Sequence, residues 1–484
     1  MLGPTCDSDR VVRTAPHSVT HVTQVGDAAL NDILAHGVGG SKDLPIPTEL
    51  AVAGAVAALT ISFTVLAVAW RSPRYDAATS GRPAPARLAR VVDAPAFLVA
   101  TRTLGFAIFA FAAMAAVLGE DRLTNPIFGI VYVWWWVGLV PLSLLLGPVY
   151  KALSPVRTIN AAFAKISGTD PDTGVFTYPE RLGYWPAAVG LFAFVWLELV
   201  YPHSTELGPV RLWCAAYIAA MLIGGALFGS RFYERGDPFE VYSTLVSKLS
   251  VWGRREARSE TGEGGAHLLV VRSPLANLDT VEVRPGLVAV GAVLFGSTAF
   301  DSFKDSSIWI RFIQNSDTIS GSRDLVDVAN NLALLSFCVG VGLIFAAGTM
   351  LTSVGPGTRR RDLPNQFGHS IVPIIIGYIV AHYLTYLVEY GQQTLIQVSD
   401  PFSDGSNWFG TADWTPSYWF TYHPTLLATI KVLAVIVGHV VGVIAAHERA
   451  VRLLPKQHQL TGQLPLLVAM IAFTVGGLLL LFAA

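Results

Sequence analysis

Ten ionisable side chains fall inside or at the ends of long apolar runs, and any chemistry of this chain must begin with them. They are Arg102, Glu198, Arg211, Asp301, His369, His382, Glu389, Lys431, His439 and His447. A charge at bilayer depth costs about 2.5–3.5 kcal/mol on insertion scales, so each asks for a partner or a purpose. Arg102, Arg211, His369 and His447 lie near run ends, where side chains reach the headgroups by snorkelling. Glu198, Asp301 and Glu389 approach one surface, where partial hydration eases the cost. His382 and His439 sit near the middle of their runs and have no such escape.

Spacing tests whether they belong together. His382 and Glu389 are seven residues apart, hence on one helix face with a rise of about 10 Å. Lys431 and His439 are eight apart, about 80° from eclipsed and about 12 Å in rise. Two antiparallel helices joined by the acidic loop 392–423 would bring Glu389 to Lys431 in an outer layer. They would bring His382 to His439 in the middle and His369 to His447 at the inner end. Asp301 lies at a depth that joins the outer layer. Gly377, Gly438 and Gly442 let such helices approach closely.

Three chemistries suit this column. Two His and nearby carboxylates ligate a divalent metal ion, zinc or copper, and an open coordination position activates water. The same groups relay protons, because imidazole titrates near neutral pH. Haem is disfavoured: His369 and His382 are thirteen apart, but His439 and His447 only eight, so the second helix breaks the pattern. The plain alternative is that these groups hydrogen-bond one another and fix helix packing.

The elements that position them follow from composition. The 484 residues are 52% hydrophobic and 14% charged, where soluble domains carry roughly 25% charge. An ordinary soluble multidomain enzyme, a disordered chain and a nucleic-acid binder are excluded. Three cysteines exclude a disulfide framework and a Cys-rich metal or iron–sulfur site. Cys214 and Cys338 fall in apolar runs and read as small buried hydrophobes.

Ten apolar runs are each close to the length that crosses a bilayer: 49–70, 95–118, 127–147, 184–202, 208–230, 286–304, 329–353, 367–391, 424–446 and 464–483. The chain is therefore read as an all-α polytopic membrane protein of about ten transmembrane helices. A polar external segment, 1–48, precedes a single transmembrane domain, 49–484. Loops of one side carry 23 Lys and Arg, and the tail and loops of the other carry 6. The positive-inside rule then places both termini outside.

Two cytoplasmic loops are long. Loop 148–183 opens with a short interfacial helix. Loop 231–285 carries an amphipathic stretch, Phe239 to Val246, suited to the membrane surface. In the same loop, His267-Leu-Leu-Val-Val-Arg and Val281-Glu-Val-Arg read as a short hairpin. Gly225 and Gly229 make a small-residue patch for close helix packing. There is no nucleotide-binding motif, so an ATP-driven pump with its own motor is excluded, and no internal repeat is evident.

Four stretches carry a resemblance. They are Ala35-His-Gly-Val-Gly-Gly-Ser-Lys-Asp-Leu-Pro-Ile-Pro, Ser370-Ile-Val-Pro through Ala381-His-Tyr-Leu, Val398-Ser-Asp-Pro-Phe, and Gly438-His-Val-Val-Gly-Val-Ile-Ala-Ala-His-Glu-Arg-Ala. In these the chain resembles multi-spanning bacterial membrane proteins labelled fenitrothion hydrolase-like, from about Ala35 to the end. In that family the first motif usually follows a cleaved signal; here a polar segment precedes it.

The resemblance implies a multi-pass protein of the bacterial plasma membrane that hydrolyses organophosphate-like esters. Its metal-ligating candidates are His382, His439, His447, His369 and His36, the last beside Asp43. Its catalytic candidates are Asp301, Glu389 and Lys431, with Lys431 polarising the phosphoryl oxygen. Against this stand a proton- or metal-coupled permease and a non-catalytic membrane partner of other subunits. On the residues alone, the permease is at least equal to the hydrolase.

Overall fold

Backbone groups in hydrocarbon find no water, so an apolar run must satisfy them within itself, and here every run does so as helix. The computed structural model describes residues 41–256, 267–352, 359–456, 459 and 461–482. His36 lies outside the described residues.

In chain order the principal helices are α1 (Thr48–Ala69), α2 (Pro95–Leu118), α3 (Pro126–Val137), α4 (Leu139–Leu146), α5 (Val149–Leu153), α6 (Pro155–Ser167), α7 (Trp185–Leu199) and α8 (Leu207–Phe228). There follow α9 (Ser230–Gly236), α10 (Pro238–Ser247), α11 (Leu287–Lys304), α12 (Arg323–Met350), α13 (Arg360–Gln397), α14 (Pro424–Leu453) and α15 (Thr461–Leu481). Eight of these are long and apolar enough to cross a membrane, among the described residues. The run 127–147 is instead a pair, α3 and α4, bent by 40°. The run 184–202 yields only the 15 residues of α7, about 22 Å of helix. The protein is an all-α polytopic membrane protein.

Burial orders the bundle. Of the apolar windows, 78% of α11 and 72% of α13 are buried, against 6% of α2. The first two form the centre, and α2 keeps its side chains for the surroundings. Small residues set the central seam between α13 and α14. A Cβ on Gly438 would lie 2.5 Å from the Pro373 carbonyl oxygen, and one on Gly442 would lie 2.8 Å from that of Ser370. On the other flank of α11, a Cβ on Gly296 would meet the Cys338 backbone at 2.6 Å. Cys338 is thus a packing residue.

The two long loops depart from expectation. Gly229, at φ +64°, ends α8 in a conformation costly for any side chain. The chain then folds back as α9, laying Phe232 and Tyr233 over Gly224 and Gly225. Of the Gly225/Gly229 patch, Gly225 thus receives α9, while Gly229 meets the Asp172–Gly174 backbone, and neither receives another span. The Phe239–Val246 stretch does not lie on the membrane surface either: α10 is buried along nearly its whole length. Its acid, Glu240, is neutralised by Arg157 of α6 through a forked ion pair, Nε–Oε2 2.5 Å and Nη2–Oε1 2.6 Å. With that charge matched, α10 packs inside. Of the exposed apolar residues of loop 148–183, Phe163 and Ile166 sit on α6, as an interfacial helix requires.

The strands form a small antiparallel sheet of β1 (Arg82–Pro83), β2 (Trp252–Glu256) and β3 (His267–Val271), in the order β1-β3-β2. The strands paired with β3 are β1 and β2, the latter with Arg254 opposite Leu269, and not the segment 281–284. A short helix, Pro274–Leu278, turns the chain away before a hairpin there can close. Glu448 of α14 fastens the segment after α1 by accepting from Trp70 Nε1, Arg74 N and Tyr75 N at 2.8–3.0 Å.

Candidate functional site

The last turn of α11 carries Asp301, Ser302 and Lys304, and the facing part of α13 carries Tyr378, His382 and Tyr383. All but Lys304 are buried. Asp301 Oδ2 accepts from His382 Nε2 at 2.8 Å and from the Tyr383 hydroxyl at 2.8 Å. Its other oxygen, Oδ1, pairs with Lys304 Nζ at 2.9 Å. On the far side of the imidazole, Nδ1 lies 3.0 Å from Ser302 Oγ. Ser302 also accepts from Tyr378 OH at 3.0 Å, and the Thr298 carbonyl stands 3.3 Å from its oxygen.

A carboxylate only accepts, so the hydrogen between the two groups sits on Nε2. Tyr378 donates to Ser302, whose own hydrogen is within reach of both Nδ1 and the Thr298 carbonyl. Glu198 of α7, half-buried and with Oε2 enclosed without a hydrogen-bond partner among the described residues, feels the charges of the same Asp301 and Lys304.

The remaining candidates are dispersed. His439 donates from Nδ1 to the Val435 carbonyl one turn back at 2.8 Å, and its Nε2 has no partner among the described residues. His382 and His439 do not face each other. The seam between α13 and α14 is marked by Ser370, Pro373 and Gly377. His382 is five residues beyond Gly377, about 140° around the helix, and so turns to α11.

His369 Nε2 donates to the Ala445 carbonyl at 3.3 Å. His447 contacts Gln463 Oε1 and the Trp70 carbonyl at 3.1 and 2.9 Å. The two are neighbours at one end of the seam without sharing a ligand position. Glu389 accepts from Thr421 at 2.7 Å, and no ion pair joins it to Lys431 among the described residues. It lies in a π-helical segment, Tyr386–Tyr390, whose i→i+5 bonding rotates it off the face that seven-residue spacing implies. An acid that acts on Lys431 is Asp43.

The resemblance implies a metal held by these histidines. No group of three or more His, Cys, Asp or Glu side chains is disposed to hold an ion among the described residues. Both nitrogens of His382 are engaged by protein groups. The described residues do not fit a metal centre.

Ser302, Tyr378 and Tyr383 escape a reading of the sequence, because neutral residues in apolar runs carry no hydropathy cost. The spacing of Asp301 and Ser302 ahead of Lys304 offers only a weak signal. No protein-family model, curated protein or solved structure matches this chain. The resemblance therefore rests on its four motifs. What the fold and site define is a polytopic helical membrane protein with a buried Asp–His–Ser–Tyr hydrogen-bond chain at its centre.

Proposed function

We propose that this chain is a proton-coupled permease of the bacterial plasma membrane, with both termini outside, in which His382 and Asp301 carry the proton. The observation that carries this reading is the imidazole of His382 held between Asp301 and Ser302 inside the bundle. A proton arriving at Nδ1 requires one small change: the Ser302 hydroxyl turns from Nδ1 to the waiting Thr298 carbonyl. The resulting imidazolium is balanced by Asp301, which Tyr383 and Lys304 hold in place. Release reverses the rotation. Lys304, 30% exposed, links Asp301 to the surface.

The test uses purified protein in sealed liposomes containing a pH indicator, challenged with a panel of solutes under an imposed pH gradient. A transported solute changes the lumenal pH, and Asp301→Asn and His382→Gln abolish the change. Ester hydrolysis in detergent without a gradient, together with stoichiometric metal by elemental analysis, overturns the reading.

A hydrolytic reading has one observation in its favour. Ser302, His382 and Asp301 touch in the order nucleophile, base, orienting acid. Two features weigh against it. Ser302 is 6% exposed, and as a residue within α11 its backbone amide is committed to the helix, leaving it unable to stabilise an oxyanion. Labelling of Ser302 by a fluorophosphonate would favour hydrolysis; no labelling favours the permease.

A further inference from the structure

A second buried acid lies apart from the site above, where the chain doubles back between α9 and α10. Asp237 is fully buried. Its Oδ1 caps α10, accepting from Phe239 N at 3.0 Å and Glu240 N at 3.3 Å, and it also accepts from the Tyr217 hydroxyl of α8 at 3.0 Å. Tyr217 in turn meets Tyr150 of α5 at 2.9 Å between hydroxyl oxygens. The other oxygen, Oδ2, is buried without a hydrogen-bond partner among the described residues.

The surroundings deny that oxygen a counter-charge. The nearby cation, Arg157 of α6, is committed to Glu240 by its fork and to the Ser230 carbonyl at 3.3 Å. Tyr233 of α9 covers the guanidinium, with Arg157 Cζ 5.0 Å from its ring centre. Glu234 of α9 is paired with Lys151 at 2.8 Å. The walls are aromatic: Trp135 stacks on Phe239 at 4.2 Å between ring centres, and Trp213 on Tyr217 at 5.6 Å. A buried carboxylate with one oxygen satisfied three times and the other not at all is an expensive anion.

We propose that Asp237 is a second proton-binding residue, separate from the Asp301–His382 pair, whose proton resides on Oδ2. When neutral, it leaves Arg157 and Glu240 as a balanced pair. When ionised, it adds a negative charge that repels Glu240 and competes for Arg157. Proton loss thus loosens the fork that holds α10 to α6. Because α10 packs against both α7 and the central α13, the protonation state of Asp237 bears on how the two halves of the bundle meet. This inference stands whether or not the chain is a permease.

The test is pH-difference infrared spectroscopy on the full-length protein in lipid nanodiscs, reading the carbonyl stretch of protonated carboxylic acids. The expected result is a titrating band that persists in Asp301→Asn and is lost in Asp237→Asn. Tyr217→Phe preserves the ring and removes one donor from Oδ1, which destabilises the anion. Its band is expected to titrate at higher pH than that of the wild type. A band unchanged in Asp237→Asn, or a midpoint unmoved in Tyr217→Phe, overturns the proposal.

Discussion

His382 Nε2 lies 2.8 Å from Asp301 Oδ2, so the bundle's central helices are joined by a contact between an acid and an imidazole 81 residues apart. Asp301→Ala leaves two buried donors, His382 Nε2 and the Tyr383 hydroxyl, without their acceptor, and each unsatisfied buried group costs about 1–3 kcal/mol. His382→Ala is expected to lose less, since Asp301 keeps Tyr383 and Lys304. The double variant should fall short of the sum by about 1–3 kcal/mol. Thermal unfolding in detergent measures all three, and strict additivity would mean the residues act independently.

The fork between Arg157 and Glu240 supports a second comparison. Their side chains are 8% and 1% exposed, so a lone Glu240→Ala strands a guanidinium and should lose about 3–5 kcal/mol. An apolar pair of similar volume, Arg157→Met with Glu240→Leu, is expected to recover most of that loss. If the apolar pair unfolds as readily as the single variant, the fork stabilises through its geometry and not through mutual neutralisation.

The positions of the helices could be read from the sequence, while the rotation of each about its axis could be read only in part. Every apolar run became helix, since hydropathy reports length and little else. Yet the same glycines that announce close packing also decide which face is turned inward, and Gly377 turns His382 away from α14. Glu389 was misplaced for a different reason: a π-helical segment leaves no mark in a run of apolar and aromatic residues. Arg157 and Glu240 are 83 residues apart, and nothing in either segment announces that one neutralises the other. Without that knowledge, α10 reads as a surface helix.

The seam between α13 and α14 gives a prediction on packing. At Gly438 an added Cβ would lie 2.5 Å from the Pro373 carbonyl oxygen and 3.1 Å from the Gly377 Cα. Neither backbone atom can rotate aside. Gly438→Ala should cost about 1–3 kcal/mol through overpacking. Gly476→Ala on α15, where no atom lies within 4 Å of the added Cβ, should be neutral. Melting temperatures of the two variants decide it; equal values would show that the seam yields.

Orientation is open to a direct check. The proposed orientation, drawn from the excess of basic residues in one set of loops, puts Lys165 of α6 inside and Tyr422 outside. Cysteines substituted at these exposed positions in a background lacking native cysteines should react with an impermeant maleimide from opposite sides of intact cells. Tyr422→Cys is expected to label without permeabilisation and Lys165→Cys only after it. The reverse pattern would invert the topology and place the Asp301 end of the bundle at the cytoplasmic face.

Lys248, just beyond α10, supplies a prediction on pH. Its Nζ donates to Thr280 Oγ1 at 2.6 Å. Burial, and next the charge of Arg272, pull its ammonium down to about 8, with Glu282 opposing. An unfolded lysine titrates near 10.4. Between these values the unfolded chain binds more protons than the folded one, so the unfolding free energy rises with pH. Below the folded value both states are protonated, and the cost of enclosing the ammonium is felt in full. Each unit of difference is worth at most about 1.4 kcal/mol. Relative to Lys248→Met, the wild type should therefore be less stable at pH 7 and should close the gap as pH rises from 8 to 10. Thermal unfolding across that range tests this, and parallel curves for the two proteins would show that Lys248 is solvated when folded.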